Sequence, residues 1–274
     1  MDKLGRKALI TGGGGAIAAS IAERLDKRGY QLVLADIDVA RAEQVAQSLR
    51  QPCAVLHADL STAQGIAALG ERIERDYADL SLLVNNAGYI LPGNVVQLDA
   101  EAIDRHVQIN LVAPMQLTRV VARFMRERGG GDILSIVSMG GILSLRGSAS
   151  YSAAKFGLRG FQQAIHAELL KDGVRVMGVF PSGVDTPMLR LEAMHPGGSP
   201  LNFVGEVLTA DQVGDACMRA LSSGALETYL PYSDSILTRL VGSFPWLIHR
   251  VEPFFVRLGE RGRSKFIATR GLDG

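Results

Sequence analysis

Six short apolar runs, each followed by a longer stretch with helical spacing, occur between residues 7 and 181, and this alternation is what most restricts the fold. KALIT (7–11) reads as a strand before a helix over 16–29, and QLVLAD (31–36) as a strand before a helix over 39–50. A strand over 53–57 precedes a helix over 62–77, and LSLLVNN (80–86) precedes one long helix over 99–127. DILSIVS (132–138) leads into a helix over 150–171, VRVMGVFP (174–181) follows, and ETYLP (227–231) is a seventh strand. Strands this short and this uniformly apolar are covered on both faces, and parallel strands need helical crossovers. The expectation is an α/β fold: a doubly wound parallel sheet of about seven strands with helices on both faces. No repeat, low-complexity tract or linker divides it, so 1–231 is expected to be one domain, with 232–274 an extension.

In such sheets ligands bind beyond the carboxyl ends of the strands. Directly after the first strand comes TGGGGAIAAS (11–20). Its four consecutive glycines let the backbone turn sharply and approach an anion, which the helix N-terminus then favours. Asp36 ends the second strand, where an acidic side chain can accept hydrogen bonds from both hydroxyls of an adenosine ribose. It would repel a 2′-phosphate, and neither Gly13 nor Ile37 offers a compensating cation, so NAD is expected rather than NADP. The bland alternative, an aspartate capping the next helix, suits Asp38 better.

Taken together, several stretches resemble the short-chain dehydrogenase/reductase family. They are TGGGG (11–15), DL (59–60), NNAG (85–88), Asn110, Ser138, YSAAK (151–155) and PSGVDTP (181–187), in family order over about residues 5–230. The resemblance implies a Rossmann-type sheet and a Tyr151 that acts as general acid/base. It further implies that Ser138 hydrogen-bonds the substrate oxygen, that Lys155 holds the nicotinamide ribose, and that Asn110 anchors a water in a proton relay. By the same resemblance, Gly12, Gly14, Gly15, Ala16 and Ile17 surround the dinucleotide. Asp59 and Leu60 lie beside the adenine, Asn86, Ala87 and Gly88 pass the adenosine side, and Pro181 and Thr186 reach the phosphates or the carboxamide. The chain departs from the family pattern at Ala16 and Ala18, where glycines are usual, and at Ser182, where PG is usual. Both alanines fall at a helix start, where φ is negative and a methyl brings no backbone strain.

The YSAAK spacing has its own chemistry. A phenol ionises near pH 10, too high for an efficient base at neutral pH. An ammonium one helical turn away favours the phenolate, so Lys155 is expected to draw Tyr151 downward. Alanines 153 and 154 leave room for substrate. An NAD-linked conversion between a secondary alcohol and a ketone follows. The alternatives are an NADP-linked enzyme of the same family and a silent nucleotide-binding scaffold.

Other classes are disfavoured. The net charge of +1 gives no attraction to nucleic acid. The five histidines and two cysteines fall in no metal-ligand spacing, so no metal is expected, and no G-x-S-x-G elbow offers a hydrolase nucleophile. The start, MDKLGRKALITGG, lacks a secretory pattern, and a cytoplasmic protein is expected. By the family resemblance, residues 187–206 are a variable substrate lid. Here they carry Met188, Leu189, Leu191, Met194, Leu201 and Phe203 and a flexible PGG at 196–198, which implies an apolar or amphipathic substrate, with ordinary core packing as the alternative. The extension mixes Trp246, Phe254 and Phe255 with Arg239, Arg250, Arg257, Arg261, Arg263 and Lys265, and has no uncharged run long enough to span a bilayer. It could lie in a membrane interface, cover the cleft, or join subunits of a homodimer or homotetramer; the charge pattern leaves all three open.

Overall fold

The computed structural model describes residues 6–272. Seven parallel strands form one sheet: β1 (Lys7–Thr11), β2 (Gln31–Asp36), β3 (Ala54–His57), β4 (Leu82–Asn85), β5 (Gly131–Ile136), β6 (Val174–Pro181) and β7 (Glu227–Leu230). Their order is β3-β2-β1-β4-β5-β6-β7. The chain winds outward through β2 and β3, then returns to the other side of β1, so the strand order reverses between β1 and β4. The loops leaving those two strands diverge there and open a crevice.

Between the strands run α1 (Ala16–Lys27), α2 (Val39–Gln47), α3 (Ala63–Asp76), α4 (Ala100–Val107), α5 (Ala113–Glu127) and α6 (Ala149–Leu169). After β6 come α7 (Pro187–Met194) and α8 (Ala210–Ser223), and after β7 come α9 (Tyr232–Ser243) and α10 (Pro245–Arg270). One face of the sheet is covered by α1 and α8, whose Ile21, Leu25, Val213 and Cys217 pack on Ile10 and Met177. The other face buries Leu9, Leu83 and Ile133 against Leu69 and Ile73 of α3 and Leu117 and Val121 of α5. Removing these side chains from water on both faces supplies roughly 25 cal/mol per Å² of apolar surface, and it holds the strand ends that carry the crevice.

The predicted single helix over 99–127 is instead α4 and α5 joined by a π-helical turn, Gln108–Val112. Pro114 explains part of the break. It has no N–H to return to the carbonyl of Asn110, four residues back. The side-chain amide of Asn110 takes the His106 carbonyl at 3.0 Å in place of a regular turn.

The extension behaves differently along its length. The C-terminal half of α10 packs on α7 and on the 3-10 turn Pro200–Phe203: Phe266 meets Phe203 with ring centroids 5.4 Å apart. Gly259 and Gly262 allow this approach, because a side chain at either would run into the carbonyls of Pro200 and Phe203. Arg263 donates to the carbonyls of Ala193 and His195 at 2.7 and 2.8 Å. By contrast, α9 and the first turns of α10 expose Ile236, Leu237, Leu240, Phe244, Trp246, Phe254 and Leu258.

Candidate active site

The first strand ends at Thr11 and the chain turns through Gly12 at φ 64°. A Cβ there would stand 2.9 Å from the Ala87 Cα, so both the left-handed backbone and the close approach demand glycine. Thr11 Oγ1 accepts the N–H groups of Asn86 and Ala87, each at 3.1 Å. The Asn86 amide donates to the carbonyls of Thr11 and Gly12 at 2.9 and 3.2 Å. Asn86 thus binds the β4 loop to the glycine turn, and its amide donors are consumed there.

Helix α1 then starts at Ala16, with extended Gly15 as its cap, no side-chain cap, and no acidic residue in its first turn. Its leading N–H groups face the crevice as an unshielded anion site. Ala16 and Ala18 sit in regular helix, Ala18 fully buried, so the methyls bring no strain. Asp36 reaches the same turn: its Oδ2 accepts from Gly14 N–H at 2.8 Å and its Oδ1 from Asp38 N–H at 2.9 Å. Each oxygen keeps a second lone pair for a ligand hydroxyl. Capping of α2 falls to Asp38, which accepts from Arg41 N–H at 3.1 Å. Asp59 Oδ1 accepts from the hydroxyl and the N–H of Ser61 at 2.6 and 2.9 Å, and these bonds hold its carboxyl below the usual range.

Ser138 lies two residues beyond β5, at φ 145° and ψ 156°. Side chains rarely occupy that region, and holding one there costs about 1–3 kcal/mol, a cost characteristic of functional positions. Its Oγ accepts from Gly140 N–H at 2.9 Å, which directs the hydroxyl proton elsewhere. Tyr151 lies in the first turn of α6, beside this serine. Lys155, one turn on and buried, donates from Nζ to the Ile136 carbonyl at 2.9 Å, with Nζ 5.7 Å from the Tyr151 ring centroid. Burial pushes the lysine down to about 8. Burial also raises Tyr151 above its ordinary value; the Ser138 hydroxyl opposes this and the charge of Glu192 adds to it. The expected downward pull of Lys155 is not among the influences on the phenol in this geometry, where burial dominates both groups.

Asn110 is fully buried in the π turn. Its amide donates to the Tyr89 carbonyl at 2.8 Å, and its Oδ1 accepts from Tyr89 N–H at 3.3 Å. Every other candidate residue borders one cleft of about 640 Å³, whereas Asn110 stands behind its wall, where Ile109 shows instead. His106 shares this backing role: Nδ1 faces the Ala102 carbonyl at 2.6 Å and Nε2 accepts from Leu91 N–H at 3.0 Å, which fixes a neutral tautomer. Burial lowers its pKa accordingly.

The lid is mostly helix. Thr186 caps α7, accepting from Leu189 N–H at 3.4 Å and donating to the Val184 carbonyl at 3.2 Å. Met188 and Leu189 face the cleft, Leu189 and Phe203 also join a small core with Phe266, and Leu191 and Met194 point outward. The PGG segment is closely packed: a Cβ on Gly197 would lie 2.9 Å from the Gly93 Cα. Only part of the lid's apolar surface is therefore available to a substrate.

Among the cleft residues to which sequence reasoning gave no role are Arg41, Glu192 and Ser182. Arg41 borders the Asp36 end, on the first turn of α2, four residues beyond Ile37. Glu192 borders the Tyr151 end, one helical turn beyond Met188 and three residues beyond Leu189, a spacing that placed it inward. Ser182 has a buried hydroxyl with no hydrogen-bond partner among the described residues, while its N–H donates to the Leu230 carbonyl at 2.9 Å. An uncapped helix N-terminus, a turn only glycine can make, and an orphaned hydroxyl in one cleft fit a dinucleotide carrying a pyrophosphate. Among the described residues no cluster of His, Cys, Asp and Glu could hold a metal.

The short chain dehydrogenase family matches residues 6–195 of this chain. Nodulation protein G of Rhizobium meliloti is 32% identical over 184 residues, covering 67% of this chain and 75% of its own length. The bulky-bulky ketone specific alcohol dehydrogenase from Comamonas testosteroni superposes with a TM-score of 0.74 at 28% identity, covering 89% of this chain and 94% of that one. A short-chain dehydrogenase from Sphingobium yanoikuyae, solved in complex with NADPH, gives a TM-score of 0.76 at 29% identity over 89% of this chain and 95% of that one.

Proposed function

The chain belongs to the short-chain dehydrogenase family and is an oxidoreductase of that family, and from this premise we propose that it interconverts a secondary alcohol and a ketone on an apolar substrate with NAD(H). The observation that carries the reading is the convergence of Ser138, Tyr151 and Lys155 on one cleft with the glycine turn and Asp36. The nicotinamide of a bound dinucleotide supplies the hydride acceptor or donor. Gly12, Gly14 and the start of α1 would hold its pyrophosphate, and Asp36 its adenosine ribose. Ser138, whose oxygen already accepts from Gly140, offers its own proton to the substrate oxygen and fixes its position. Ser138 keeps that proton, and Tyr151 Oη moves the single proton of the reaction to or from the same oxygen. Burial keeps this phenol protonated at neutral pH, the form in which it donates to a ketone. Lys155, at about 8, lies close enough to neutrality to recharge the phenol after transfer. The Asn110 carbonyl, which has lost its regular helical partner to Pro114, would accept from a water between Lys155 and solvent.

Activity is tested by following NADH and NADPH absorbance with a panel of bulky ketones and alcohols. Tyr151→Phe is expected to lower turnover by about 10²–10⁴-fold while NADH affinity stays near its original value. Large residual turnover would remove Tyr151 from the chemistry. Cofactor choice is set by two opposed residues. Asp36 favours two ribose hydroxyls, and Arg41 is the cation that a 2′-phosphate would need. Asp36→Ala is expected to shift the NADH/NADPH preference about tenfold toward NADPH, the contribution of one charged hydrogen-bonding group. An unchanged ratio would place the ribose elsewhere.

The apolar substrate is supported by Met188, Leu189, Leu145 and Ile90 on the cleft wall, and by the bulky-ketone specificity of the Comamonas testosteroni relative. A cytoplasmic homodimer or homotetramer is part of the same proposal, with Met115 and Phe156 exposed on α5 and α6, and light scattering measures it. We also propose peripheral contact with an anionic membrane surface through the extension. Among the described residues, eight of the sixteen exposed large apolar side chains lie in residues 232–258, so the exposure is concentrated in one stretch. Arg250 lies over the Trp246 ring at 5.4 Å, beside exposed Arg257 and Arg261, the mixture that suits a headgroup layer. No helix among the described residues is long and apolar enough to cross a membrane. Sedimentation with phosphatidylserine vesicles, lost in Trp246→Ser/Phe254→Ser, tests it; equal pelleting would assign the patch to protein contacts.

A further inference from the structure

The lid contains a buried carboxyl that the proposed chemistry does not use. Glu192 is 5% exposed, yet it borders the same cleft as Tyr151. Among the described residues its carboxyl has one hydrogen-bonding partner, the Asn202 amide, whose nitrogen lies 3.1 Å from each carboxyl oxygen. Among the described residues it has no ion-pair partner. Its surroundings are apolar, with Leu189 and Ala193 buried beside it on α7 and Phe203 next to Asn202. Burying a carboxyl against a single neutral amide is unfavourable, and two oxygens with about four acceptor positions are not satisfied by one nitrogen. A helix that needed only to pack would be better served by leucine. The arrangement leaves acceptor capacity in an otherwise oily part of the cleft.

We infer that Glu192 is a specificity-determining residue, receiving a hydroxyl carried by the apolar substrate at a distance from the reacting carbon. Asn202 holds the carboxyl in place, and the orphaned lone pairs point the preference. The substrate class becomes a hydroxylated bulky ketone or the corresponding diol. A hydroxyl suits the site because it can donate to a carboxylate or accept from a carboxylic acid. Burial raises Glu192 to about 7, so both forms are present at neutral pH. This inference rests on the oxidoreductase reading above.

The test compares bulky ketones, aryl and cycloalkyl, with counterparts carrying one hydroxyl at increasing distance from the carbonyl, using full-length protein and NADH or NADPH. One hydroxy ketone of matching length is expected to exceed its parent in kcat/KM by about ten- to hundredfold, the discrimination expected when a site is built to hydrogen-bond a substrate group. Glu192→Leu is expected to collapse that ratio to near one, and Glu192→Gln to restore part of it. Asn202→Ala serves as the control for lid integrity: a merely structural carboxyl predicts that Asn202→Ala and Glu192→Leu slow both series alike and leave the ratio intact. Melting curves identify a variant that fails to fold, in which case the Gln variant alone decides. If wild type reduces both series equally, or the ratio survives in Glu192→Leu and Glu192→Gln, the inference is overturned. If wild type reduces no ketone with either cofactor, the oxidoreductase reading itself fails, a distinct result.

Discussion

The two ends of the cleft are built on different principles. At the glycine turn, bonds run through the main chain: Thr11 to the N–H groups of Asn86 and Ala87, Asn86 to the carbonyls of Thr11 and Gly12, Asp36 to the N–H of Gly14. At the lid, side chains also fasten to one another: Glu192 on Asn202 and Phe203 on Phe266, beside Arg263 on two carbonyls of the lid's end. A main-chain site recognises what every dinucleotide shares, and nearly any replacement at its turn is disruptive. A side-chain site recognises what one substrate has and another lacks, and it can be rewritten residue by residue.

The largest expected effect is at the turn. Gly12→Val would force a left-handed backbone on a branched side chain and press its Cβ toward Ala87, costing about 3 kcal/mol or more between stability and dinucleotide binding. Melting temperature and NADH fluorescence titration measure both, and an unaltered NADH affinity would show that the turn is not the anion cradle. Next comes the buried carboxyl of the lid. Burial raises Glu192 to about 7 from an unfolded value of 4.5, so the folded state binds the extra proton between those limits. Stability should then fall as pH rises through that window, by on the order of 2–3 kcal/mol relative to Glu192→Gln, which lacks the ionisation. Denaturant midpoints of both proteins at pH 5 and 8 measure the difference; parallel profiles would mean that the lid admits water to this group. The smallest effect should come from Ala16→Gly, which restores the usual family residue. It should cost about 0.5–1 kcal/mol of helix stability and leave NADH affinity in place. A marked gain in affinity would mean that the methyl crowds the pyrophosphate.

The same division explains what was legible in the sequence. Parallel strands covered on both faces leave apolar runs, and a turn that only glycine can make leaves glycines, so the sheet, the turn and the Ser138–Tyr151–Lys155 group could be placed before any coordinates. The break at Gln108–Val112 was signalled by Pro114, which has no N–H for the interior of a helix, whereas the share of the Asn110 side chain in it depended on its tertiary contacts. Arg41 and Glu192 were missed for a related reason, since a charged residue on an amphipathic helix is usually solvated; Arg41 is exposed and still borders the cleft, while packing of the lid buries Glu192. The balance between Lys155 and Tyr151 also depended on packing, because sequence spacing gives proximity and says nothing of desolvation.

The clasp between the last helix and the lid has a mechanical consequence. Arg263 grips the end of α7, and the glycine face of α10 lies flush on the Pro200–Phe203 turn, while the opposite end of the same helix presents its aromatic side chains outward. Whatever takes hold of those aromatic rings pulls on a helix, interrupted by Pro253, whose far end is fastened to the segment proposed to admit substrate.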